Sequence, residues 1–178
     1  MNFHEARIDL LRYILNKGPK YLKMIEKRNA YDKLIRNYHQ SSSEGLQLYG
    51  NKRAKGQLVH SIDALAIIEK HKRFKEAQKN LWYEHSVPIK IIRNKLEQLA
   101  IEAEKKSFEI KDQDVKQILD CTSLVVITKK ERDKIDHPRK GFKDKMPTSE
   151  WPPKNLYARF QHENVNIELE INYPKKLL

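Results

Sequence analysis

Pro88 closes a stretch, Trp82-Tyr83-Glu84-His85-Ser86-Val87-Pro88, through which no regular helix runs. Proline lacks an N–H, and its ring drives the preceding residue, Val87, toward extended backbone. The helical pattern upstream is therefore predicted to stop near Trp82, leaving Glu84 and His85 on a short extended segment. An acid beside an imidazole at such an end is chemically capable, since histidine serves as base, acid or metal ligand near neutral pH. The same stretch also reads as a plain helix-to-strand junction with a surface histidine.

On either side the periodicity is mostly helical. Phe3, Ile8, Leu11, Ile14 and Leu15 predict a helix over residues 3–16, ended by Gly18 as a left-handed cap. Pro19 suits the first turn of a second helix, which reads on to His39 with Leu22, Ile25, Leu34, Ile35 and Tyr38 inward. Gln40–Gly45 is loop by composition. Residues 57–83 give the longest stripe: Leu58, Ile62, Leu65, Ile68, Phe74, Ala77 and Leu81. His60 and His71 share a face of that predicted helix but sit about 16 Å apart along it, too far for one metal.

Beyond Pro88 a helix resumes over residues 89–106, and Asp112 or Asp114 caps a short one ending at Leu119. Leu124-Val125-Val126-Ile127 reads as a brief buried strand. Thr128 followed three residues later by Glu131 has the form of a capping box, so a helix is expected over Lys129–Ile135. Pro138, Gly141, Pro147, Pro152 and Pro153 mark loop. Residues 156–161 and the strictly alternating 165–172 predict a C-terminal β-hairpin. The expected class is α+β: a mostly helical N-terminal half, a small ββα-like centre and that hairpin. Residues 1–55 form a basic helical region and 56–178 an α+β domain, either separate or packed as one.

The 178 residues carry a net charge of +12, with pI ≈ 9.6 and mean hydropathy −0.81. Such a surplus attracts polyanions, so DNA or RNA is the first partner expected and an acidic protein or acidic surface the second. Up to residue 55, 12 basic side chains face 5 acidic ones. Tyr13, Tyr21, Tyr31 and Tyr38 are interleaved with them. Basic and aromatic groups together stack bases and hold phosphates, although these tyrosines equally suit helix packing with their hydroxyls outward. Cys121 is the single cysteine. It excludes an internal disulfide, points to a reducing compartment and reads as small core filler. No apolar run approaches the ~20 residues that span a bilayer, and no apolar signal region follows Met1, so no membrane partner and a cytoplasmic location are expected. Glycine-rich phosphate loops, CxxC and GxSxG are absent.

Extended acid-histidine segment, returning strand, capped helix: that order resembles the HNH, or ββα-metal, nuclease superfamily, in particular its colicin-type DNase branch. Glu84-His85-Ser86-Val87-Pro88 is similar to the opening of HNH motifs, and Leu124 through Asp136 to the strand, threonine and ligand-bearing helix that close them. The resemblance covers about a third of the chain. It implies that His85 is the general base for phosphodiester hydrolysis, and that Glu84, Asp136 and Glu131 are candidate ligands of one cation. Hard oxygen donors favour Mg²⁺ or Mn²⁺. Lys129, Lys130, Arg132, Lys134, Arg139 and Lys140 would meet the nucleic acid.

The chain departs from the family where histidines four apart would stand on the helix. Here those positions are Arg132 and Asp136, and a guanidinium cannot bind a cation. No asparagine occupies Ser123 or Leu124 to orient the histidine, and the interval from Pro88 to Ser123 is long and helical in pattern. Two functions are therefore expected in competition. One is an HNH-type endonuclease, a phage-defence or toxin effector. The other is a non-enzymatic regulator or accessory subunit, binding nucleic acid or an acidic protein on a degenerate HNH-like fold.

Overall fold

The computed structural model describes residues 3–26, 30–41, 59–71 and 74–170. The chain divides into two compact units, Met1–Ser42 with Ile89–Cys121, and Ser43–Pro88 with Thr122–Leu178.

The first unit is helical: α1 (Phe3–Asn16), α2 (Pro19–Glu26), α3 (Ala30–Ser41), α4 (Ile89–Lys106) and α5 (Asp112–Leu119). Gly18 adopts φ +83 between α1 and α2, the left-handed turn for which glycine carries no Cβ penalty. Leu11, Ile35, Ile92, Leu96, Ile110 and Leu119 are fully buried, which supplies most of the drive for packing five amphipathic helices. Polar groups fix their register. The Asn16 amide donates to the carbonyl of Ile110 at 3.0 Å and accepts from its N–H at 2.9 Å. The Tyr38 hydroxyl donates to Asp120 at 2.8 Å.

The second unit is built on a four-stranded mixed sheet. Its strands are β1 (Val59–Ser61), β2 (Leu81–His85), β3 (Leu124–Thr128) and β4 (Leu169–Glu170), ordered β2-β3-β1-β4. β1 runs parallel to β3, whereas β2 is antiparallel to β3 and β4 antiparallel to β1. All five residues of β3 are buried, as its β-branched apolar run requires of a central strand covered on both faces. On one face Leu124 and Val126 join Leu81 of β2 and the helix α6 (Ile62–Lys70) through Ala64 and Ile68. On the other, Val125 and Ile127 pack with Ile135 of α8 (Lys129–Ile135), Phe142, Val165, Ile167 and Phe160 of α9 (Ala158–Gln161). The short α7 (Phe74–Ala77) and one 3₁₀ turn lead into β2.

The α+β class stands as expected, with three internal corrections. The stripe over 57–83 is not one helix: Val59–Ser61 is strand, α6 begins at Ile62, and Leu81 already starts β2. His60 therefore sits buried in the sheet and His71 caps the end of α6, so they share no helical face. The C-terminal hairpin is replaced: 158–161 is helix, and Leu169–Glu170 pairs with β1 rather than with its predicted neighbour. The helices at 89–121 join the N-terminal helices, so the boundary near residue 55 gives way to a discontinuous division. Within the first unit, Tyr31 and Tyr38 are buried, whereas Tyr13 and Tyr21 are exposed. Cys121 is only half-buried. Leu58, Lys27, Arg28, Lys52, Arg53, Lys55, the predicted loop from residue 42 on, and the last residues of the alternating run, 171–172, lie outside the described residues.

Among the described residues, no helix is long and apolar enough to cross a membrane.

Candidate nucleic-acid interface

The antiparallel register of β2 on β3 decides which side chains can meet. Trp82 lies opposite Ile127 and Glu84 opposite Val125, whereas Tyr83 lies opposite Val126 and His85 opposite Leu124. Side chains alternate across a strand. Trp82 and Glu84 therefore share the face covered by α8 and Phe160, and His85 lies on the face of Leu124 and α6. His85 is buried, at 4% exposure. Asp136 caps the end of α8 and pairs with Arg132, whose guanidinium lies over Trp82, which puts it on the Glu84 side. The sheet thus separates the imidazole from the aspartate that the HNH resemblance pairs with it.

Glu84 is already held. The Arg159 side chain, on α9, has no solvent exposure. Its Nη2 donates to Glu84 Oε1 at 2.7 Å and also to the carbonyl of His85. Its Nε donates to the Ser86 carbonyl at 3.2 Å, and its Nη1 to the Phe142 carbonyl at 3.0 Å. Burial lowers the Arg159 pKa, and the facing charges of Glu84, Asp136 and Asp144 oppose that shift. The predicted C-terminal hairpin, which puts residues 156–161 in a strand, does not foresee this role for Arg159. The usable signal was its position between Ala158 and Phe160, because a buried guanidinium needs acceptors for all its N–H groups.

Glu131 is committed as well. Its Oε2 accepts from the Thr128 N–H at 2.7 Å, and the Thr128 hydroxyl accepts from the Glu131 N–H at 3.1 Å, closing the expected capping box. The same oxygen accepts from the Ser61 hydroxyl at 2.6 Å, and Ser61 in turn caps α6 by accepting from the Ala64 N–H at 3.1 Å. One carboxylate thereby ties the starts of two helices together. Ser61 is hidden in the sequence because its three-residue strand continues the apolar spacing of the helix that follows.

Asp136 is ion-paired with Arg132 at 3.2 Å. The Arg132 guanidinium lies 3.6 Å from the centroid of the Trp82 ring, a cation–π stack on the edge strand, and Trp82 remains 36% exposed. Trp82 stood in the motif stretch unassigned, although its two-residue offset from Glu84 already put both on one face.

The three carboxylates named as ligands therefore each have a different protein partner. Among the described residues, no three or more His, Cys, Asp or Glu side chains are grouped to hold a metal ion. A Mg²⁺ or Mn²⁺ ion at Glu84 would have to share its oxygens with a fixed guanidinium charge, so the donor set does not fit the cation.

The basic residues fare differently. Lys129, Lys130, Lys134, Arg139 and Lys140 are all exposed, and Arg132 is partly covered by its stack. His137 shapes the turn after α8: its Nδ1 accepts from the N–H groups of Arg139 (3.3 Å) and Lys140 (3.1 Å). Gly141 is required there, because a Cβ would stand 2.1 Å from the Ile135 carbonyl oxygen. Helix and turn together present five cations from one short stretch. Comparison with protein-family models, curated proteins and solved structures finds no match, so chemistry on this surface has to be argued from its geometry.

Proposed function

We propose that this chain binds nucleic acid without hydrolysing it, as a regulator or accessory subunit whose second unit keeps the strand–strand–helix order of an HNH site and not its metal chemistry. The observation that carries this reading is the buried Arg159 guanidinium on Glu84, which supplies the positive charge a catalytic cation would bring there. Lys129, Lys130, Lys134, Arg139 and Lys140 would neutralise phosphates, and the exposed edge of Trp82 would stack against a base.

The test uses plasmid, single-stranded DNA and RNA, each incubated with Mg²⁺, with Mn²⁺ and with EDTA. The expected outcome is a gel shift that weakens with salt, is unchanged by EDTA, and leaves every substrate intact over hours. Cleavage that EDTA and His85→Ala both abolish would establish metal-dependent hydrolysis and overturn the proposal. Absence of any shift at low salt, with retention of an acidic protein instead, would assign the basic surface to a protein partner.

A further inference from the structure

Lys129 and Lys130 also line a cavity of about 330 Å³ in the second unit. Asp63, Ala66 and Ile67 of α6 form one wall, and Asn80, just ahead of β2, forms another. That volume lies at the lower end of the range for small-ligand sites, about 300–1,000 Å³. It is large enough for one nucleobase with its sugar. Ala66 and Ile67 offer an apolar surface of the kind a flat ring covers. Two ammonium groups against one carboxylate leave a net positive rim, which suits a phosphate.

The polar groups divide the ligand further. A phosphate is repelled by Asp63 and drawn to Lys129 and Lys130, so the backbone belongs at the lysine side. A carboxylate accepts from an exocyclic amine, and an amide such as Asn80 both donates and accepts along a base edge. Thr128 also borders the cavity, but its hydroxyl is engaged in the helix cap and adds nothing to recognition.

From this juxtaposition we infer that the cavity between α6 and α8 takes a single unpaired, amino-bearing nucleobase of a strand whose phosphates lie on Lys129 and Lys130. The inference rests on the nucleic-acid reading above and adds to it a preference for single strands and a defined base site.

Fluorescence anisotropy of the full chain tests it, using a labelled ten-nucleotide adenine strand and an abasic strand of equal length. The adenine strand is expected to bind about tenfold more tightly, the scale of one stacked and hydrogen-bonded base. Ala66→Trp changes an exposed helix position and fills the cavity. Because Trp82 stacks a base as well, Ala66→Trp is read in a Trp82→Ala background, where it is expected to bring the two strands within about twofold of each other. An adenine preference that survives Ala66→Trp in that background, or that disappears with Trp82→Ala alone, overturns the cavity assignment and leaves nucleic-acid binding standing. If neither strand binds at low salt, the nucleic-acid reading itself fails.

Discussion

A guanidinium with no solvent exposure is stable only where its N–H groups all find acceptors, and Arg159 finds them in Glu84 and the carbonyls of His85, Ser86 and Phe142. Those acceptors span the end of β2 and the loop after α8, so one side chain joins three segments distant in sequence. Removing it strands a carboxylate and three carbonyls at once. Arg159→Met is expected to cost about 3–5 kcal/mol, the usual penalty for breaking one half of a buried pair. Glu84 is partly exposed, at 21%, so Glu84→Gln should cost less, about 1–2 kcal/mol, because the amide oxygen still accepts. Adding Glu84→Gln to Arg159→Met should recover part of the loss, giving a coupling of at least about 1 kcal/mol in a double-mutant cycle. Urea midpoints measure all three. A loss below about 1 kcal/mol for Arg159→Met would mean that the pin is dispensable.

At the scale of elements, the strong local signals carried through. The spans Phe3–Asn16, Ile89–Lys106 and Lys129–Ile135 follow from periodicity, Gly18 and the Thr128–Glu131 box. β1 was invisible because three residues ahead of a helix do not interrupt a helical stripe, and only its pairing with β3 and β4 makes it a strand. The second alternating run kept its apolar side inward, with Val165 and Ile167 buried, but alternation does not name a pairing partner. The site was half legible. Reading Glu131 as a capping residue was right, and that role uses the oxygen on which a metal assignment would draw. Arg159 and Ser61 act through long-range contacts that no local pattern encodes. In the helical unit, burial raises the phenol pKa of Tyr31, with Glu97 adding to it, and burial plus the hydrogen bond to Asp120 raises that of Tyr38. A raised folded pKa means the native state holds the proton more tightly. The stabilisation is therefore complete below the unfolded value of about 10 and lost as pH rises above it. Among the described residues, the buried Tyr31 hydroxyl has no hydrogen-bond partner. Tyr31→Phe should thus hold or raise stability at pH 8 and shrink the loss between pH 8 and 11, whereas Tyr38→Phe should lower stability at pH 8. Denaturation midpoints across that range check both, and equal effects of the two substitutions would contradict the different environments of the two hydroxyls.

For the whole molecule, net charge alone does not predict nucleic-acid affinity, because only cations placed to meet phosphates release counterions. The chain carries +12, yet part of its basic complement is engaged within the fold: Arg12 with Asp9 and Asp112, Arg93 with Asp32, Arg132 with Asp136, Arg159 with Glu84. Lys129, Lys130, Lys134, Arg139 and Lys140 are the exposed set on the proposed surface. If each meets one phosphate of a single strand, log Kd against log salt concentration should rise with a slope of about 3.5, from roughly 0.7 per phosphate. Lys134→Gln should lower that slope by about 0.7 and weaken binding to all sequences alike. Arg132→Gln removes the guanidinium that lies over Trp82, so it should leave the slope nearly unchanged while altering the Trp82 fluorescence that reports the stack. Anisotropy titrations between 50 and 300 mM salt distinguish these effects. A slope well above 5 would place further cations from elsewhere in the chain on the strand. A slope near zero would take the basic surface out of contact with phosphate altogether.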